Sequence, residues 1–575
     1  MSCKSHDVPR PEYPRPNMVR DKWLNLNGCW EFEIDHGRSG KARKLFEAEG
    51  LNGKIIVPFC PESKLSGVEY KDFMAAVWYR KEFTLPDDWN SGRVLIHFGA
   101  VDYDSEVWVN GQSVGTHRGG YTPFTFDITD FLKKGINVVT VYAEDDVRSG
   151  LQPGGKQCPD YYSRGCHYTR TTGIWQTVWL ENVPDSYISS FRMIPDPDNG
   201  CIHMEVRFGG RLIGGELAVK AFFDGKETGR GMARISGDAA RLRLDLSEVH
   251  LWEPGNPQLY DLELTLQKEG QCIDRISSYA GLRSITVEDN KILINGKPVF
   301  QRLVLDQGFY PDGIYTAPTD EDLKRDIEIS MGLGFNGARL HQKIFEPRFL
   351  YWADKLGYLV WGEHASWGLD ISGPEGLERF LPEWLEALER DFNHPSIVGW
   401  CPFNETSRSQ DEEVLRTVYR VTKMVDSTRP VIDTSGYIHV VTDIEDIHDY
   451  EQNPEIFKQR YEPLKEGKGI VADHLGGLKY SKNLCFVSEY GGIWWSPKRE
   501  GWGYGARPQS EEEFIQRYKA LTEALLNHPK MCAFCYTQLY DVEQEVNGLY
   551  TYDRKPKFDP GVIKAINTQK AAIEE

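Results

Sequence analysis

Between residues 319 and 436 the chain repeats one phrase: an amphipathic helical stretch, a short turn, then a strand. TDEDLKRDIEISMGLGFNGARLHQ opens the series, and PRFLYWADKLGYLVWGEHASWG, LERFLPEWLEALERDFNHPSIVGWCPFNE and EEVLRTVYRVTKMVDSTRPVIDTSG continue it. Strands separated by helices cannot be joined by hairpins, so they run parallel under a cover of crossover helices. The segment 286–575 has the length of an eight-stranded (β/α)8 TIM barrel. A doubly wound sheet is the competitor, but no glycine-rich nucleotide fingerprint follows a strand to favour it. Thr319 with Asp322 three residues on reads as a short-armed capping box at the start of the first helix.

Upstream the grammar differs. From 12 to 184 the pattern is short alternating strands such as CWEFEI, VWYRKEFTL, RVLIHFG, DSEVWVNG and INVVTVYAED, with Asn110-Gly111 as a hairpin turn. This predicts a jelly-roll-like β-sandwich. SGLQPGGKQCPDYYSR at 149–164 interrupts it as a long loop, and HRGGYTPF at 117–124 reads as a tight turn. Residues 185–285 form a second all-β region, with CIHMEVRF, ELAVKAFF, ARLRLDL and LYDLELTLQ as strands.

The formal net charge of -19 argues against a nucleic-acid partner. The polar start MSCKSHDVPR and the lack of an 18-residue apolar run predict no membrane partner and a cytoplasmic location. Cys532 and Cys535 have C-x-x-C spacing but lie in MCAFCYTQL, an apolar strand pattern that predicts two buried thiols. The 16 Trp, 28 Tyr and 26 Phe suit both cores and the apolar faces of sugars.

In a barrel the C-terminal strand ends share one mouth. IVGWCPFNE puts Glu405 at such an end, and LCFVSEYGG puts Glu489 at another. Two carboxyls in one pocket suit retaining glycoside hydrolysis, with Glu489 as nucleophile and Glu405 as acid/base. Asn404 either binds a sugar hydroxyl or caps the turn that follows. Tyr490 either orients the nucleophile or packs inward.

At these residues the chain resembles glycoside hydrolase family 2, the β-galactosidase/β-glucuronidase group. VWVNGQSVGTHRGGYTPFTFDIT, ILINGKPVF, GFNGAR, PRFLYWADKLGYLVWGE, GWCPFNE, VSEYGG and NGLYTYDRKPK carry the resemblance in order along nearly the whole chain. It implies a sugar-binding-like jelly roll at 12–184, an immunoglobulin-like β-sandwich at 185–285 and a catalytic TIM barrel at 286–575. It also implies the same roles for Glu405 and Glu489, no cofactor and a homo-oligomer. Three stretches depart from the family's pattern: RLVLDQGF at 302–309, RLHQK at 339–343, and Gly362-Glu363 where an Asp-Glu pair is common. Near the end, Val546-Asn547 precede Gly548 where β-glucuronidases resemble one another in an Asn-x-Lys-Gly stretch that binds the sugar carboxylate. Without that Lys a uronate loses a charge-assisted contact, so a neutral sugar is expected, with Arg339, His341 or Arg554 as alternative cations.

Further candidates for substrate contact lie on strand-to-loop positions. These are Arg339, His341, Glu363, His364 and Trp367, then His448 and Tyr450 in HDYEQNP, and the rings Trp494, Trp495 and Trp502 in GGIWWSPKREGWGYGARP. Each also has a structural reading, as an ion pair, a packed ring or a lid. No metal is expected, since two carboxylates supply both attack and proton transfer. The expected activity is a retaining exo-β-glycosidase acting on a terminal neutral β-linked sugar, β-galactosidase first. The alternatives are a β-glucuronidase-like uronide hydrolase, a glycosidase for glucose, mannose, arabinose or fucose, and a carbohydrate-binding protein without catalysis.

Overall fold

The structure is a computed structural model that describes residues 8–210, 214–498 and 500–574. Its first unit packs a four-stranded antiparallel sheet against a six-stranded one. Alternate positions of both sheets point inward, so Trp30, Phe32, Val77, Tyr79, Ile96 and Val141 share one apolar core. The turn at Asn110 and Gly111 has left-handed φ at both residues (51° and 81°) and joins Asp104–Val109 to Gln112–Arg118, as the NG dipeptide predicts.

A second sandwich follows, made of a three-stranded and a four-stranded antiparallel sheet with a core of its own. It is tied to the C-terminal unit by Trp252, whose buried indole donates to the Asp354 carbonyl at 2.9 Å.

From Gln301 on, the chain forms a curled parallel sheet surrounded by helices. Its seven strands lie in the order Ile397–Cys401, Leu359–Glu363, Gly337–Leu340, Gln301–Asp306, Ala533–Thr537, Leu484–Gly491 and Glu445–Asp449. The gap between the outermost two is occupied by Thr434–Ser435, which pairs parallel with Phe403–Asn404. On the other side, the His448 amide donates to the Gly436 carbonyl at 3.3 Å. Every residue of Ile397–Cys401 and of Leu484–Gly491 is buried, which is why these strands read as unbroken apolar runs in the sequence. The first barrel helix, Asp320–Gly332, starts with the expected capping box: the Asp322 amide donates to Thr319 Oγ1 and the Thr319 amide to Asp322 Oδ2. Cys532 and Cys535 are buried free thiols, in accord with the apolar reading of MCAFCYTQL.

The N-terminal sandwich sits on the barrel through several segments, two of which the sequence marks as loops. In HRGGYTPF the Tyr121 amide donates to Glu383 Oε1 at 2.7 Å, so this turn is a domain contact. The long loop at 149–164 reaches the barrel mouth: the Gly154 amide donates to the Trp367 carbonyl at 2.7 Å and the Gly155 amide to the Ala365 carbonyl at 3.2 Å. Gly155 has φ +57°, and a Cβ there would lie 2.3 Å from the Gln342 carbonyl oxygen, so only glycine allows this approach. Among the described residues, no helix is long and apolar enough to cross a membrane.

Candidate active site

Arg339, 1% exposed, is the next-to-last residue of the strand Gly337–Leu340 and gathers three neighbouring strand ends around its guanidinium. Nη1 donates to Glu489 Oε1 at 3.1 Å and to the Ser488 carbonyl at 2.8 Å. Nη2 donates to Glu363 Oε2 at 2.7 Å and to Asn404 Oδ1 at 3.0 Å. A planar fork is the side chain that can satisfy a carboxylate on each arm without moving. His341 stands beside it, with Nδ1 3.1 Å from Glu363 Oε1. Burial would raise the Glu363 carboxyl, but Arg339 and His341 overcome it and hold Glu363 below its ordinary value.

The parallel register sets His448 level with Glu489, and Asn404 level with Ser435. As a result His448 lies between the two carboxyls that the sequence singled out. Its Nδ1 is 2.7 Å from Glu405 Oε1, and its Nε2 is 3.0 Å from Ser435 Oγ and 3.4 Å from Glu489 Oε1. One carboxylate oxygen of Glu405, one of Glu489 and a His448 nitrogen all lie within 4.8 Å of one another. Such a trio could hold a small cation, but both imidazole nitrogens already have partners inside the cluster. Glu405 itself takes left-handed φ (50°), unusual for a residue with a side chain. Its amide is fixed by the Ser435 carbonyl at 2.8 Å, which aims the carboxyl across the mouth.

Glu489 is 4% exposed. Burial alone would push its carboxyl up, but His448, His341, Arg339 and Lys156 more than reverse this, so it is held far below the carboxylate range. Its second oxygen accepts from the Tyr450 hydroxyl, and the Tyr450 ring stacks on Tyr504 at 3.5 Å between centroids. Burial works against a charged His448, and Glu489 and Glu405 outweigh it and raise its pKa. A cavity of about 520 Å³ opens here, lined by Glu405, Tyr437, His448, Tyr450, Arg460 and His474.

Arg339, His341, Glu363, Asn404, Glu405, His448, Tyr450 and Glu489 are therefore brought together, and Trp367 joins them through its indole, which donates to the Asn404 carbonyl at 3.1 Å. Other candidates fall elsewhere. His364 is wholly buried against Phe380, Trp384 and Tyr121, behind the strand end and away from the mouth. Tyr490 faces the helical layer, where its hydroxyl meets Thr522 Oγ1 at 2.8 Å and its ring packs on Phe534 and Tyr536. Successive strand residues point to opposite sides, so Glu489 and Tyr490 cannot both enter the mouth. Trp495 packs on Phe514 and Phe558 with Arg507 over its face, and so belongs to the outer core. Trp494 donates to the Glu500 carbonyl of its own loop at 3.4 Å. Trp502 donates to the Gly165 carbonyl at 2.7 Å, and its ring meets the edge of Tyr504. Of the rings in that segment, it is Tyr504 that reaches the paired carboxyls, by way of Tyr450.

Several residues at the mouth escaped the sequence reading: Ser435, Tyr437, Arg460 and His474 around His448 and its cavity, and two more charged groups, Lys156 and Glu545. Lys156, from the first sandwich, is buried with Nζ 4.0 Å over the Trp367 ring. Glu545, just before Val546-Asn547, is buried and accepts from Tyr168 Oη at 2.6 Å and from Asn547 Nδ2 at 2.9 Å. Burial raises the Glu545 carboxyl. The signal for Lys156 was its place after two glycines in a loop too long for a turn, but the linear chain does not say which surface that loop meets.

Comparison with known proteins agrees with this architecture. Three models described as "Glycosyl hydrolases family 2" match in chain order: the sugar binding domain at residues 24–184, the central domain at 200–283 and the TIM barrel domain at 285–469. A β-galactosidase of Thermoanaerobacter pseudethanolicus is 26% identical over 434 residues, covering 72% of this chain and 56% of the relative. The chain thus spans little more than half of that enzyme's length. A β-glucuronidase of Rattus norvegicus is 27% identical over 457 residues, covering 72% of this chain and 68% of the relative. The crystal structure of Ruminococcus gnavus β-glucuronidase in complex with uronic isofagomine superposes with a TM-score of 0.80 over 97% of this chain and 99% of that one, at 19% identity, a likeness of fold.

Proposed function

Since the chain belongs to glycosyl hydrolase family 2, we propose that it is a retaining exo-β-glycosidase of the β-glucuronidase type. The observation that carries the reaction class is the approach of Glu405 and Glu489, with one oxygen of each within 4.8 Å. Retaining enzymes hold their two carboxyls about 5 to 5.5 Å apart, leaving no room for a water between the nucleophilic carboxylate and the sugar. Glu489, kept ionised by its cationic neighbours, attacks the anomeric carbon. The bond to the leaving oxygen breaks as Glu405 passes its proton to that oxygen, and a covalent glycosyl ester forms on Glu489. Glu405 then takes a proton from water, which attacks the same carbon and releases Glu489. The Glu405–His448 hydrogen bond supports the Glu405 carboxylate between the two steps, after its proton has left with the departing oxygen. Arg339 and Tyr450 fix one oxygen of Glu489 each, so the nucleophile is oriented before the sugar arrives. The 149–164 loop lies across one side of the mouth, which suits a terminal sugar better than the middle of a chain.

For the glycone, the β-glucuronidase relative and its broad coverage support the uronide alternative over the β-galactosidase expected first. The expectation of a neutral sugar rests on Asn547 standing where a Lys would read the carboxylate, an objection that holds only if no other cation faces the mouth.

Initial rates on 4-nitrophenyl β-D-glucuronide, β-D-galactoside and β-D-glucoside test the glycone, with the glucuronide expected to be fastest. A faster galactoside would return the glycone to the neutral class. A 2-fluoro glycosyl fluoride should form a stable ester on Glu489, located by peptide mass; an ester on another residue would overturn the nucleophile assignment.

A further inference from the structure

The cations around the mouth differ in how they are employed. Arg339 is occupied by Glu363, Glu489 and Asn404. Arg554 forks onto Asp326 at 3.0 and 2.9 Å and lies 3.6 Å over Tyr540. Arg460 is paired with Asp449 and Glu451. Lys343 donates to the Gly308 and Tyr315 carbonyls, and Lys557 to Asp541. Lys156 is the exception. It is 5% exposed, yet among the described residues its Nζ makes no hydrogen bond or ion pair and has only the Trp367 face at 4.0 Å.

A cation over an indole recovers part of what burial takes from an ammonium, but it leaves the N–H donors without acceptors. Burial opposes the charge on Lys156, and Cys166, Glu545, Glu489 and Glu405 together outweigh it, so the group stays an ammonium. These neighbours also locate it: the field it feels comes from both catalytic carboxyls. The indole beneath it donates to the Asn404 carbonyl, one residue before Glu405. The backbone is equally fixed, because Gly154 and Gly155 dock on Trp367 and Ala365, and Tyr168 donates back to the Lys156 carbonyl at 2.7 Å. Glu545 is the remaining nearby acid. Both of its oxygens accept from Tyr168 and Asn547, which leaves Lys156 unclaimed.

We propose that Lys156, delivered by the N-terminal sandwich, binds the carboxylate of a terminal uronic acid and so replaces from another domain the cation that Asn547 does not provide. The inference rests on the uronide reading above. It makes the first sandwich part of the glycone site, so specificity and domain docking are coupled in this chain.

The test is the ratio of kcat/KM on 4-nitrophenyl β-D-glucuronide to that on the β-D-glucoside, two substrates that differ only at C6. In Lys156→Met that ratio should fall about 100-fold, the size expected when a charge-assisted hydrogen bond is lost from a dry site; Lys156→Arg should keep part of it. An equal fall on both substrates would make Lys156 a counter-charge for the acids and overturn the proposal, as would an unchanged ratio. The wild-type ratio reads the uronide assignment separately. A wild type that prefers the glucoside sinks both ideas, whereas a glucuronide-preferring wild type with an unaffected Lys156→Met variant sinks only the role of Lys156. In case the variants do not fold, reductive methylation of the wild-type protein gives a second readout. Glucuronate, and not glucose, should protect Lys156 from labelling, and equal labelling with either sugar would overturn the assignment.

Discussion

Nδ1 of His448 lies 2.7 Å from Oε1 of Glu405. The same ring faces Glu489 through Nε2, so one buried imidazole senses the charge on both carboxyls. This geometry follows from strand register, since His448 is aligned with Glu489 across the ladder.

His448 should therefore govern the acid limb of the activity profile. Burial lifts the Glu489 carboxyl and His448 is the first of the cations that pull it down. In the proposed reaction Glu489 attacks as an anion, so activity is lost as pH falls through its pKa. Replacing His448 by Gln removes a depressing charge, raises that pKa and moves the acid limb of kcat/KM to higher pH. The variant's loss in kcat/KM relative to wild type should therefore be larger at pH 5 than at pH 7. A limb that stays in place would refute this role.

Gly436 makes room for that ring. It has φ +94°, and a Cβ would lie 2.3 Å from His448 Cδ2. Gly436→Ala should therefore displace His448 and cost about 1 to 3 kcal/mol of stability through overpacking and strain. Gly467→Ala is the control, because Gly467 has φ +70° but open space around it. Urea midpoints and kcat of the two variants check this: only the Gly436 variant should lose activity as well as stability.

Arg339 is the buried hub of the mouth. Arg339→Met leaves Glu363 and Glu489 without their shared cation, and losing one member of a buried charge network costs about 3 to 5 kcal/mol. Arg339→Lys should recover little, since an ammonium cannot hold both carboxylates and the Asn404 amide oxygen in one plane. A urea midpoint for Arg339→Met close to that of the wild type would contradict the hub role.

Acid sensitivity of the fold has a separate source in the first sandwich. Glu181 is fully buried, with Arg15 at 3.0 Å, Arg20 at 3.4 Å and His97 at 3.5 Å. Burial raises its carboxyl, but Arg15 and His97 reverse the effect and set the folded value well below the unfolded one. The stability it contributes is therefore full above about pH 4.3, the ordinary Glu value, and is lost as pH falls from there toward the folded value. Glu181→Gln should lower the urea midpoint at pH 7 and flatten its decline on acidification. Parallel declines in variant and wild type would exclude Glu181 as the source.

Much of this was legible in the linear chain where periodicity carries the information. The helix–strand alternation, the Asn110-Gly111 hairpin and the Thr319–Asp322 capping box depend on neighbours a few residues apart, and the structure shows each of them. Glu405 and Glu489 were recognisable because unbroken apolar strands end in an acid, which is costly unless it faces a shared polar mouth. The errors have an equally local cause. His364 and Tyr490 adjoin mouth residues in sequence, but a strand turns successive side chains to opposite faces, and both ended among helices. The aromatic cluster at 494–504 carried no periodicity that could tell the ring beside the carboxyls from those that pack the outer core.

By itself, then, the sequence determined the order of the three units, the strand-end acids and the reaction class they suit, since these rest on short-range pattern and residue chemistry. Tertiary structure decided which cations are already spent and which one is left. Arg554 is tied to Asp326, 228 residues away, while Lys156 reaches the mouth from a different domain. The pairing of buried charges depends on distances through space and on desolvation, and neither is a property of adjacency along the chain.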